Sequence, residues 1–402
     1  MSDVGPTPLG TFPSGLQTEA AQLNPYEWFG HCRDAGPVVH DQTRGCYDVF
    51  DYEGVTQVLG DHERFSSDPR THPNNLEDDL TAISRSILYQ DPPRHDELRS
   101  IVDDFFTPGA IKELTPNIEA VAEDLLDDVI DEAGTATGRF DLVHSFAYPF
   151  PVMVIAGLLG VPPEDHDRFR SWSTTIVASS QPGDDQQQAG PQAYAEMEAY
   201  FQELLDERRA NPRADLLSRL VQTGDLSDDE VFGFAVLLLA AGNLTTTNFI
   251  TNAVWSFHEA GCTDAIHAGD VDLELALEEV LRYRSPVQGL QRWTTTDISF
   301  KGHDIPAGTS VVAWINAANR DPAMFDDAES FVPERRPNRH VAFGQGIHIC
   351  LGASLARLEG RIALEVLTNR FERLEPVLAD MQPLGSVMIY GPRTFPVRHE
   401  LR

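Results

Sequence analysis

The chain has 402 residues and a formal net charge of −33, with 63 acidic against 30 basic side chains. Only Lys112 and Lys301 among those bases are lysines, and so acidic a surface excludes a nucleic-acid partner. The acids are spread along the chain rather than gathered into one patch for a basic partner. Together with the lysine depletion this predicts a protein of a salt-rich compartment, such as a halophile's cytosol, where screening relieves the self-repulsion.

No Ser/Gly- or Pro-rich linker divides the sequence; the turn-rich stretch 179–185 is too short to separate domains, and one catalytic unit over 1–402 is expected. Met1 to Leu23 shows neither a basic segment nor an apolar core, so no signal peptide is expected. The start reads as extended and turn-rich. Residues 37–40 and 46–50 then alternate like a hairpin around Thr43-Arg44-Gly45. From Pro92 the pattern turns helical, with 3.6-residue periodicity over about 92–104, 115–133, 143–159, 163–179, 191–210, 227–258 and 272–284. Strands and loops occupy 290–318, and a last helix runs from just after Cys350 to about Asn369. The expectation is a mainly α chain with a small β portion, at about 37–51 and 290–318. Cys32, Cys46 and Cys262 show no C-x-x-C pairing, which argues against a zinc site or a disulfide framework and for a reducing compartment. The longest apolar run, Val231 to Gly242, is shorter than the roughly 20 residues that span a bilayer. A soluble, cytoplasmic protein with no membrane partner is expected.

Within the helix of 227–258, Ser227-Asp228-Asp229-Glu230 has the spacing of a capping box. Gly242 in the helix interior costs about 1 kcal/mol relative to alanine. Thr245, Thr246 and Thr247 carry hydroxyls that compete for backbone carbonyls. The combination predicts a bent or widened turn; a plain buried helix with back-bonded hydroxyls fits the same residues. Glu279 and Arg282 stand three residues apart on one helical face, a spacing that alone signals a surface pair.

The most specific stretch is Phe343-Gly344-Gln345-Gly346-Ile347-His348-Ile349-Cys350-Leu351-Gly352. It presents one thiol at the mouth of a helix, where the dipole and free N–H groups lower a thiol's pKa. Glycines let the backbone approach something flat. A lone thiolate in this setting suits axial ligation of haem iron; a small buried hydrophobe on a glycine turn is the alternative.

Residues 343–352 match every fixed position of the haem-binding loop of the cytochrome P450 family, Phe-Gly-x-Gly-x-His/Arg-x-Cys-x-Gly, and the chain resembles that family over nearly its whole length. The resemblance implies a single-domain P450 fold holding haem b, with Cys350 as the iron ligand and Phe343, Gly344 and Gly352 shaping its loop. It places His95, Arg99, Arg292 and His348 on the haem propionates. It assigns Gly242 to the oxygen groove, Thr245 to the conserved threonine, and Leu244 to a position usually acidic. Water, Asn243 or Thr246 is then left to pass protons. It makes Glu279, Arg282 and Arg335 a scaffold, and Ile87, Leu88, Ala241, Val287, Leu290 and Met388 the substrate pocket. The implied activity is a monooxygenase that inserts one oxygen atom of O2 into an apolar small molecule. As no flavin or iron–sulfur segment is recognised, electrons are expected from a ferredoxin-type donor with its reductase, docking on arginines including Arg94, Arg336 and Arg357. A monomer is expected. Leu244 gives a peroxide-driven enzyme as an alternative; a non-catalytic haem-binding or gas-sensing protein is a more distant one.

Overall fold

The computed structural model describes residues 8–72, 86–179 and 189–402; most of the stretch 179–185 lies outside them. The organising element is the helix Asp228–Ala260, 33 residues long. Its capping box forms as the spacing predicts: Ser227 Oγ accepts from the Glu230 N–H at 3.3 Å, and Glu230 Oε2 accepts from the Ser227 N–H at 2.9 Å. Gly261, at φ 63°, ends it in the left-handed conformation. Helical structure runs unbroken through Gly242 and the threonines, where the sequence predicts a widened turn. Thr245 Oγ1 donates to the Ala241 carbonyl at 2.6 Å and Asn248 Nδ2 to the Leu244 carbonyl at 2.7 Å, so these two donors are satisfied by the preceding turn.

Helices Pro149–Leu159, Leu273–Tyr283 and Ala353–Arg370 pack around this axis. The axis is long and apolar enough to cross a membrane, although the apolar run that sequence reading isolated is short. Two-thirds of its most apolar window is buried within the fold, as a core helix requires. Helices near the expected positions include Arg94–Val102, Thr115–Ala133 and Ala189–Ala210. Not foreseen are Tyr26–Ala35, inside the stretch read as extended, Tyr52–Gly60 and Leu216–Thr223.

The hairpin forms from Val38–Asp41 and Cys46–Val49, its turn held by Asp41 Oδ1 accepting from the Thr43 and Arg44 N–H groups. Cys46–Val49 pairs in parallel with Ser310–Ala313, which pairs antiparallel with Leu290–Thr294. The resulting five-stranded sheet fixes Arg292 opposite Val311. A second sheet corrects the expected β content. Thr137–Asp141, Pro396–Leu401 and Phe371–Pro376 form a three-stranded sheet with Pro396–Leu401 in the centre. These segments are charged, and they read as strands only once Arg373 is set opposite Glu400 and Arg398 opposite Glu375.

Candidate functional site: a thiol loop beneath the long helix

The segment before Cys350 is a tight turn fixed by glycines. Gly344 and Gly346 sit at φ 76° and 74°, a region costly for other residues. At Gly346 the approach is also close: a Cβ would lie 2.9 Å from Gly60 Cα and from the Leu59 carbonyl oxygen. The turn closes when the Cys350 N–H donates to the Phe343 carbonyl at 2.8 Å. Helix Ala353–Arg370 starts immediately afterwards, with Gly352 as its N-cap.

Cys350 is exposed to a solvent-sized probe although protein encloses it on nearly every side, so it lies on the wall of an internal hollow. Ile349 beside it is 49 % exposed. On the long helix, Ala240 and Ala241 are exposed in the middle of an otherwise buried stretch, with Leu244 and Thr245 half-buried next to them. Burial pushes the Cys350 thiol up, and the Gly352 N–H, Arg99 and Arg357 only partly counter it. The expected lowering is therefore not produced by the helix terminus alone.

The expected cations do gather beside this thiol. The His95 and His348 rings meet edge-on, centroids 4.6 Å apart. Arg99 donates from Nη1 to the Ile349 carbonyl at 2.9 Å and from Nε to Asp103 at 2.6 Å. Arg292 lies within electrostatic reach of His348. Burial pushes Arg292 down to about 10, so it stays charged at neutral pH, yet among the described residues its guanidinium bonds only to the neighbouring Gln291 carbonyl, at 2.8 Å. His95 Nε2 is buried without a partner among the described residues. A buried guanidinium bonded to no carboxylate is costly, and both groups therefore call for a bound anion. Haem, which brings two carboxylates and an iron that takes a thiolate, fits this donor set.

Sequence reading missed Asp91 in the same cluster. Its carboxylate accepts from Ser66 Oγ and from the N–H and hydroxyl of Ser67, and lies 3.8 Å from His348 Nε2. Burial works against its charge, but His348 and the two serines hold it down at about 2. Its place directly before Pro92-Pro93 was the available signal.

The scaffold residues are buried, not a surface pair. Arg282 and Glu279 are 0 % exposed and joined by two bonds of 2.7 Å. Arg282 also donates to the carbonyls of Asn319, Ala328 and Ser330, and Glu279 accepts from Arg335, Asn338 and the Val332 N–H. A second arrangement reaches the thiol loop: Glu278 binds His340 and Arg357, whose guanidinium lies 4.5 Å over the Phe343 ring. Burial pushes Glu278 up, yet His340 and Arg357 outweigh it and hold the carboxylate at about 2.

Several assignments on the long helix need correcting. Gly242 is glycine because Ile155 packs there; an added Cβ would lie 2.9 Å from Ile155 Cδ1. Ala241 beside it is exposed, and Gly242 itself is half-buried. Asn243 and Thr246 are 0 % and 3 % exposed and do not reach that exposed face, whereas Thr245 does. Ile87 is 8 % exposed and lines a small cavity with Leu98, Val102, Leu220 and Phe234. Leu88 and Met388 are about two-fifths exposed, and half-buried Val287 and Leu290 lie close to Met388 through the Val287–Ile389 bridge and the Gln288 N–H bond to the Met388 carbonyl.

A thiol on the wall of an enclosed hollow, a ring of buried cations and a helix across the gap define a haem-thiolate protein. The cytochrome P450 family model matches residues 273–386. The chain is 39 % identical over 371 residues to erythromycin C-12 hydroxylase of Saccharopolyspora erythraea, covering 90 % of this chain and 89 % of that protein. It is 35 % identical over 395 residues to cytochrome P450 109 of Bacillus spizizenii, covering 95 % and 94 %. The crystal structure of substrate-free CYP109E1 from Bacillus megaterium superposes with a TM-score of 0.87 at 39 % identity, over 95 % of this chain and all of that one. The chain belongs to the cytochrome P450 family, has its fold, and is a monooxygenase of that kind.

Proposed function

We propose that the enzyme inserts one oxygen atom of O2 into a C–H bond of an apolar small molecule, with haem b held by Cys350 and electrons from a separate ferredoxin-type donor and its reductase. Haem supplies the oxygen activation when bound. Cys350 is its sulfur ligand; Arg292, His348, His95 and Arg99 pair with its carboxylates. Thr245 lends its hydroxyl proton or accepts one at the distal wall, and Leu244, having no acid, leaves water as the source. Leu88, Ala241, Val287, Leu290 and Met388 shape an apolar pocket. CYP109E1 has been crystallised with corticosterone, and ligands of that size and polarity are the class we assign.

The observation that carries this reading is the enclosed Cys350 thiol on its glycine turn, with Arg292 near His348 of that turn, a buried cation bonded to no carboxylate among the described residues. The test is the reduced, carbon monoxide-treated protein: it should show the long-wavelength band of thiolate-ligated iron, and a band at the shorter wavelength of histidine ligation would refute it. A titration of the ferric protein with steroids should then give a saturable spin-state change. Leu244 favours one second reading, turnover driven by peroxide. Comparing turnover with peroxide against turnover with a reductase pair decides between them.

The donor's dock falls on part of the expected surface. Arg94 is bound by Glu97 and Glu230, and Arg357 by Glu278, so neither offers a free charge. Arg336 and Arg339 are exposed without an ion pair among the described residues, just ahead of the thiol loop, and are the better anchors for an acidic carrier. We place the enzyme as a monomer in a salt-rich cytoplasm; loss of helicity on dialysis into dilute buffer supports that setting, and full stability there contradicts it.

A further inference from the structure

Two arginines, Arg99 and Arg357, act electrostatically on the Cys350 thiol. Arg99 spends its bonds on one oxygen of Asp103 and on the Ile349 carbonyl. Arg357 is held differently. Its Nε and Nη2 donate to the two oxygens of Glu278 at 2.6 and 3.0 Å, a fork that fixes the direction of the guanidinium. The guanidinium lies 4.5 Å over the Phe343 ring, within the range of a cation–π contact. The Phe343 carbonyl in turn accepts the Cys350 N–H at 2.8 Å. An exposed arginine on the helix after the thiol is thereby locked onto the residue that closes the thiol turn.

Glu278 is fixed from its other side as well. His340 Nδ1 accepts from the Ala342 N–H at 3.3 Å, which leaves Nε2 to donate to Glu278 Oε2 at 3.0 Å. The His340 side chain is 4 % exposed, and its ring centroid lies 6.1 Å from that of Phe343. Glu278 thus ties helix Leu273–Tyr283 to the stretch that enters the thiol turn and, through Arg357, to the helix that leaves it. Neighbouring Glu279 spends both oxygens on Arg282, Arg335 and Asn338 and cannot take over this task. We infer that Glu278 is a positioning residue for the thiol loop: it holds Arg357 over Phe343, offsets its charge, and so sets how readily iron bound at Cys350 accepts an electron. The inference rests on Cys350 as the iron ligand, as in the proposed function. Its sign follows from Coulomb's law. An uncompensated positive charge near the sulfur favours the reduced, more negative state, and an uncompensated carboxylate disfavours it.

The ferric–ferrous midpoint of the haem-loaded protein, measured without a carrier, tests this. Glu278→Gln keeps an acceptor for Arg357 but loses the charge. It should favour the reduced form about threefold to tenfold at a fixed potential, tenfold being about 59 mV for one electron. Arg357→Met should favour the oxidised form by a similar factor. The double variant should return close to wild type, because opposite charges leave together. A merely structural role would move both single variants the same way; shifts of one sign, or unmoved midpoints, would overturn the inference. Should Glu278→Gln not retain haem, Arg357→Met against Arg357→Lys decides: lysine keeps the charge and must stay near wild type, while methionine must lower the midpoint. The wild-type carbon monoxide band keeps the two failures apart. Its absence removes the sulfur ligand on which both readings rest; its presence with unmoved midpoints refutes the role of Glu278 alone.

Discussion

The two walls of the hollow are built by different means. The thiol side is local: a ten-residue turn whose glycines, closing hydrogen bond and following helix are all contiguous in the chain. The helix side is assembled at long range, since Asp228–Ala260 is packed by Ile155 and by helices from elsewhere in the chain. A local device is specified by residue identities at fixed spacing; a long-range one is specified by what happens to lie opposite. The first tolerates little change, and the second distributes its function over contacts that each contribute modestly.

The largest effect should come from the thiol itself. Cys350→His should abolish monooxygenase turnover and replace the thiolate carbon monoxide band with one of histidine type; retention of the original band would place the ligand elsewhere. Next is the scaffold beneath the loop. Glu279→Gln leaves Arg282, at 0 % exposure, without its charge partner, and breaking a buried pair costs about 3–5 kcal/mol. The variant should fail to retain haem at physiological temperature, seen as a loss of Soret absorbance on gel filtration. Gly346→Ala tests the turn alone. A Cβ 2.9 Å from backbone atoms at φ 74° should destabilise by about 1–3 kcal/mol, read as a lowered melting midpoint of the loaded protein.

The helix wall should respond differently. Thr245→Ala removes a hydroxyl exposed to the hollow and bonded to the Ala241 carbonyl, with little change in folding. Reducing equivalents should be diverted into hydrogen peroxide, with product formed per reductant falling several-fold; unaltered coupling would show that Thr245 handles no proton. Where the thiol side loses haem or fold, the helix side should lose efficiency only.

The same contrast governs what sequence could reveal. Phe343 to Gly352 and the capping box at Ser227 were legible because their chemistry is written within a few residues. Gly242 was legible as special but its partner was not: glycine announces a close approach, and Ile155, which packs there, is 87 positions away. Asn243 and Thr246 were read as relay candidates because a helix pattern alone does not say which face is the hollow. Strands Phe371–Pro376 and Pro396–Leu401 were invisible because their charges are balanced across the pairing rather than along the chain. The spacing of Glu279 and Arg282 alone suggested a surface pair, and only the resemblance made them scaffold, because the carbonyl partners of Arg282 lie some 37 to 48 positions on.

The last expected effect shows only as a pH dependence, at Glu359 on the helix that follows the thiol. It is 2 % exposed, its Oε2 has no partner among the described residues, and burial raises its pKa well above the usual carboxylate range. The folded chain therefore keeps a proton that the unfolded chain releases above about pH 4.5. Folding takes up that proton, so stability falls as pH rises from the unfolded value towards the folded one, by up to about 1.4 kcal/mol per unit. Glu359→Gln keeps the shape of the neutral acid and has nothing to titrate. Its stability relative to wild type should thus improve steadily from pH 5 to pH 8, while all other groups cancel in the difference. Parallel denaturation series at four pH values measure this directly. A constant difference across that range would mean that the carboxyl is already ionised inside the protein, and that a cation or water not evident from its neighbours compensates it.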